Sequence, residues 1–160
     1  MTLLNKTTVY LKIVLISLIL INITACSDDD DPIAPEEHHF EAIGTVIYNA
    51  TGAIDVSILR GTTTDTLYAV VGERSDHFEV KFYDENENII EPPDEEHSSM
   101  AYEIEDSQIA TGWQHEGEEG EFEFHIDGLK TGITTIEIFV KHDDHNDYRS
   151  GLIPLKVVSK

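Results

Sequence analysis

Cysteine is all but missing from this chain of 160 residues: Cys26 stands alone. No internal disulfide can form, so the fold has to hold by burial and hydrogen bonding. Basic residues are scarce too, ten Lys and Arg against 32 Asp and Glu, for a formal charge of −22. That balance excludes nucleic acid, whose affinity for proteins comes from basic groups that neutralise phosphate. It also repels anionic lipid surfaces and concentrates cations around the chain. After residue 26 no segment has the apolar spacing of a helix. Catalytic signatures are missing as well. There is no H-E-x-x-H zinc motif, no D-x-D-x-D-G calcium loop and no nucleophile elbow around Ser150-Gly151. Carboxylates are so numerous that no acid–base pair stands out. The chain reads as a non-enzyme.

What is present begins with an export signal. Lys6 and Lys12 give a weakly basic start, and Ile13 to Ile23 is apolar apart from Ser17 and Asn22. That run falls short of the ~20 residues a membrane span needs. A basic start, a short apolar core and small residues before a cleavage point mark a signal peptide. A retained membrane anchor is the competing reading, and the position of Cys26 argues against it. Ile23-Thr24-Ala25-Cys26 resembles a bacterial lipobox, in which the cysteine takes lipid and becomes the new N-terminus. Ser27, Asp28, Asp29, Asp30 and Asp31 resemble the acidic export signal of Bacteroidetes-type lipoproteins. The resemblance implies a lipid-anchored protein of the outer membrane that faces the cell exterior.

Residues 1–25 hold Lys6 and Lys12 and no acidic residue, so the remainder carries eight basic residues against 32 acidic ones, a formal charge of −24. Residues 26–39 are rich in Asp, Glu and Pro and read as a self-repelling tether. Residues 40–160 are enough for one ordinary domain, not two.

Within that domain apolar residues recur every second position. Ile54, Val56 and Ile58 do so, as do Phe78, Val80 and Phe82; Phe122, Phe124 and Ile126; and Ile136, Ile138 and Val140. Such alternation makes strands with one buried and one wet face. Turn residues separate the runs at Asn49–Gly52, Asp84–Asn88, Pro92-Pro93, Gly117–Gly120 and Lys130–Gly132. The expected fold is all-β, a single antiparallel sandwich. Pro154 interrupts the last run, which predicts an edge strand or a bulge there.

The second half resembles a bacterial Ig-like domain of group 2. The residues that carry this are Ala101-Tyr102-Glu103-Ile104, Ser107-Gln108-Ile109-Ala110, and the run from Phe124 through Gly128-Leu129-Lys130-Thr131-Gly132 to Ile138. Tyr102 stands where that family usually has Trp, and the chain before residue 75 does not align. The resemblance implies an Ig-like sandwich with strands B at 78–83, C at 100–104, D at 108–112, E at 122–127, F at 134–141 and G at 152–158. A direct hairpin of 122–127 with 134–141 is the alternative topology.

Eight histidines accompany the acidic residues. Under the Ig-like assignment the B–C, D–E and F–G connections fall at one end, carrying His97, then His115 and Glu116, then His142, Asp144, His145 and Asp147. Imidazole with carboxylate suits zinc or another transition metal, and carboxylate alone suits calcium. His142 and His145, three apart, are the expected centre of a metal site, completed by Asp144, Asp147, His115 and Glu116. His38 and His39 fall in the tether, from which one could lend a ligand. His77 and His125 fall on outward strand faces, and Trp113 and Tyr148 could stack on a sugar. The competing reading makes all these loops merely acidic and solvated.

Two functions follow. One is a surface lipoprotein that binds a divalent transition metal, accessory to an outer-membrane transporter or another surface protein. The other is an Ig-like structural or protein-interaction module with no small ligand. Both place Cys26 in the membrane. Cys26→Ala is expected to leave the membrane fraction or stay unprocessed on cell fractionation; a processed, fully membrane-bound variant would contradict the lipobox.

Overall fold

The computed structural model describes residues 39–94 and 98–160. The export signal, Cys26, the acidic stretch, His38 and His97 lie outside the described residues. Alternation along the sequence becomes burial in the fold. In β5 (Phe78–Tyr83), Phe78, Val80 and Phe82 point inward, while Glu79, Lys81 and Tyr83 are half-buried. The same holds for β9 (Glu123–Gly128), with Phe124 and Ile126 inside, and for β12 (Ile153–Val158), with Ile153, Leu155 and Val157 inside.

Two sheets result. The first runs β3 (Thr62–Thr63), β2 (Ile54–Leu59), β1 (Gly44–Asn49), β5, β9, β8 (Ala110–Trp113), with β6 (Ile89–Ile90) also on β5. The second is built on the long β10 (Gly132–His142). One edge of β10 takes β7 (Ser98–Ile104); the other takes β12 and then β11 (His145–Arg149). β4 (Leu67–Val70) lies outside β12 and parallel to it, while every other pair of named strands is antiparallel. The strands expected as B, E and D are therefore neighbours in one sheet, and those expected as C, F and G are neighbours in the other. This is the division of an Ig-like sandwich.

Two expectations need correction. β9 and β10 do not form a hairpin; they belong to different sheets. The chain crosses between sheets at Gly128, where an added Cβ would come 2.4 Å from the Val70 carbonyl oxygen. Just beyond, the Leu129 and Lys130 amides both donate to the Ile109 carbonyl. Nor does Pro154 mark an edge, because β12 is flanked by β10 and β4. Pro154 is tolerated because pairing with β4 begins one residue later, at Leu155.

The core lies between the sheets and is centred on Phe82, Phe124, Ile126, Ile136, Ile138, Ile153 and Leu155, none of which reaches solvent. Tyr102 and Ile104 are partly buried against it. Phe124 packs at 5.4 Å from the Phe78 ring and 6.0 Å from that of Tyr102. Phe124→Ala is expected to cost about 3–5 kcal/mol in urea denaturation. A cost near zero would mean that this ring is not the centre of the core.

Candidate metal centre

β10 and β11 form the hairpin that builds the site. His142 and His145 are cross-strand partners on either side of a two-residue turn, Asp143-Asp144. Asp143 takes a φ of 50°, a left-handed conformation that Asp tolerates better than most residues. His142 continues the inward series Ile136, Ile138, Val140, so its side chain points between the sheets past the last core residue. On β11 the register slips. Tyr148 opposes Val140 and Asn146 opposes Lys141, which leaves Asp147 as the extra, bulged residue. Bulges re-aim side chains, and this one turns the Asp147 carboxylate inward, to 1% exposure.

The segment ahead of β1 closes the end of the sandwich. The Phe40 ring sits edge-on to Phe82 at 4.8 Å and to Tyr148 at 6.3 Å. The Tyr148 hydroxyl is hydrogen-bonded to that of Thr45 at 2.8 Å. Burial raises the pKa of Tyr148, so it holds this contact as a neutral phenol. With Phe40 so placed, its amide donates to Asp147 Oδ2 at 2.9 Å, and His39 Nδ1 lies 2.9 Å from Asp147 Oδ1.

Four residues thus converge: His39, His142, His145 and Asp147 each offer one ligand atom, all within 4.8 Å of one another. His145 Nε2 lies 3.0 Å from Asp147 Oδ1 and 3.4 Å from His39 Nδ1, and His142 Nδ1 lies 3.6 Å from Asp147 Oδ2. A tetrahedral zinc ion with bonds of ~2.0–2.1 Å has ligand–ligand edges of roughly 3.3–3.4 Å. The separations of 2.9–3.4 Å among His39 Nδ1, His145 Nε2 and Asp147 Oδ1 lie near that edge, and His142 stands within the same 4.8 Å group. Calcium, which takes six to eight oxygens, finds one carboxylate among three imidazoles. Burial works to raise the Asp147 pKa, but the Phe40 amide, the His39 hydrogen bond and the charges of His39 and His142 outweigh it. The carboxyl is held below its ordinary range, in the form that binds a cation.

The two turn aspartates flank the outward ring nitrogens. Asp144 lies 3.7 Å from His145 Nδ1, and Asp143 lies 3.9 Å from His142 Nε2. Both separations are longer than a hydrogen bond. Asp144, expected as a ligand, is fully exposed and is not among the four converging residues.

His115 and Glu116 are not brought into the group. The D–E connection does reach the right end, since the Met100 amide donates to the Gly120 carbonyl at 2.6 Å and neighbouring Ser98 pairs with His142. Strand parity sends His115 elsewhere. Gly112 faces the Tyr102 ring on the inside, so Trp113 points out and His115 follows it. There Trp113, His115 and His125 meet, with ring centroids 4.5–5.2 Å apart. The Arg74 guanidinium lies 3.8 Å over the Trp113 ring and grips Asp127 with two hydrogen bonds of 2.8 and 2.9 Å. One face of Trp113 is thereby taken, and Tyr148 is packed beneath Phe40 and against Phe82. Glu116 is exposed in the turn after β8.

No family model and no curated protein matches this chain. Among solved structures it is similar to domains 4 and 5 of the S-layer protein SbsC, at 20% identity over 59% of this chain and 48% of that one, with a TM-score of 0.38. It is similar also to domains 4–9 of the surface layer protein SbsC, at 14% identity over 72% of this chain and 22% of that chain, with a TM-score of 0.40. The chain therefore spans less than half the length of either structure. Neither likeness bears on the site.

The Arg74–Asp127 pair carries a pH prediction. The Arg74 hydrogen bonds hold the Asp127 carboxyl below its ordinary range, against the opposing effect of burial and with help from the charges of Arg74 and His125. A carboxyl whose pKa is lower folded than unfolded stabilises the fold fully above the unfolded value of ~3.9 and loses that contribution as pH falls through the folded value. Asp127→Asn is therefore expected to be less stable than wild type near neutral pH, with the gap closing below about pH 4. Urea midpoints measured across that range check it, and a gap that widens in acid would contradict the pairing.

Proposed function

We propose that this domain binds a divalent transition metal, zinc in the first instance, through His39, His142, His145 and Asp147. The observation that carries the reading is the convergence of three imidazoles and one buried carboxylate whose ligand atoms all lie within 4.8 Å of one another. Three nitrogen donors select zinc, copper or nickel over calcium and magnesium. Part of the site is open to solvent: the His39 and His145 side chains are 50% and 42% exposed. An ion there can exchange, which suits capture and transfer better than permanent structural use. On this reading the lipid at Cys26 holds the module on the outer face of the outer membrane. The charge of −24 gathers cations, the imidazoles choose among them, and an outer-membrane transporter receives the ion.

Calorimetric titration of the full chain in detergent tests this. Zinc is expected to bind with one-to-one stoichiometry and calcium not to compete. His142→Ala/His145→Ala is expected to abolish the zinc isotherm. Binding that survives the double variant would move the metal elsewhere. No binding of zinc, copper or nickel would leave a structural or interaction module.

A further inference from the structure

We infer that metal binding at this site works a strap. On the metal reading above, the ion fastens residues 39–43 to the β10–β11 hairpin, and metal loss lets that segment go.

The ligands come from two unequally secured parts. His142, His145 and Asp147 belong to a hairpin paired along β10. His39 lies five residues before β1, in a stretch with little backbone pairing of its own. Ile43 donates its amide to Tyr83 and accepts from the Arg60 amide, both at 2.9 Å. Ahead of Ile43 the segment is held by the Phe40 amide and the His39 ring on Asp147, by the His39 ring against His145, by the Phe40 ring against Phe82 and Tyr148, and by Ala42 against the core. Two of these attachments end on one carboxylate. A metal joining His39 to His142, His145 and that same carboxylate would replace the His39–Asp147 hydrogen bond with metal bonds across 103–108 positions of sequence.

The arrangement also makes strap and metal cooperate. If Asp147 Oδ1 ligates, Oδ2 stays on the Phe40 amide, and that hydrogen bond fixes the carboxylate for the metal. A seated strap thus completes the site with one ligand and orients a second. By linkage the metal must favour the seated strap to the same degree. Release of residues 39–43 would add at most about 17 Å of extended chain to whatever precedes them.

Amide hydrogen exchange on the full chain in detergent, with zinc or with chelator, tests the strap. Zinc is expected to slow exchange of residues 40–43 by about tenfold or more. His39→Ala is expected to retain weaker zinc binding by calorimetry and to show no zinc-dependent slowing there. Exchange at the centre of β10 is expected to be the same in both proteins, which shows that the variant is folded. Wild type that binds zinc without protecting 40–43 would overturn the strap and leave the metal site standing. Protection by zinc that persists in His39→Ala would overturn it too, and absence of zinc binding would overturn both.

Discussion

A carboxylate taken out of water costs several kcal/mol unless charges or hydrogen bonds meet it. Asp147 is such a carboxylate, and the end of the sandwich is arranged around it. Its neighbours come from three directions: the Phe40 amide, the His39 ring beside it, and the rings of His142 and His145 from the hairpin. A hydrophobic side chain at 147 could not order these groups. The carboxylate does so, and the rings it gathers are the donors a transition metal requires. The acidic surface elsewhere shares its sign but not its chemistry, since exposed carboxylates bind cations loosely and select poorly.

The hairpin can present this group because β10 is longer than any partner. Its first half is paired with β12 and its second with β7 and β11, so the strand runs on past the core to His142. Inward parity holds along its length. The positions that are Ile136, Ile138 and Val140 in the core become His142 at the rim. The bulge on β11 then supplies what parity alone would not, letting Asp147 share the inner side with its own neighbour Tyr148 as well as with His145. Ser150 secures the step from β11 to β12: its amide donates to the Ile138 carbonyl, and its hydroxyl oxygen accepts from the Ile138 amide.

Most of the sandwich was legible because one face of each strand is wet. β5, β9 and β12 announce themselves by alternation. β1 does not, since Gly44, Thr45, Val46 and Ile47 are all buried and no period survives. β4 is four residues long and pairs in parallel with a strand almost ninety positions away, which no local pattern reveals. The hairpin half of the site was legible as well, from His142, His145 and Asp147. His39 was half legible: Glu-Glu-His-His reads as a tether that could lend a ligand, and only the docking of Phe40 places His39 in the group. The exclusion of His115 was available in principle: it shares parity with Trp113, and Trp113 pairs with the outward His125. Loops that meet at one end need not aim their side chains at one point.

X-ray absorption at the zinc edge of the loaded protein tests the donor chemistry at this ion most directly. Three imidazole nitrogens and one carboxylate oxygen are expected at about 2.0–2.1 Å, with the outer scattering that imidazole rings produce. A shell of oxygens alone, without imidazole scattering, would assign the ion to the acidic surface and contradict the site.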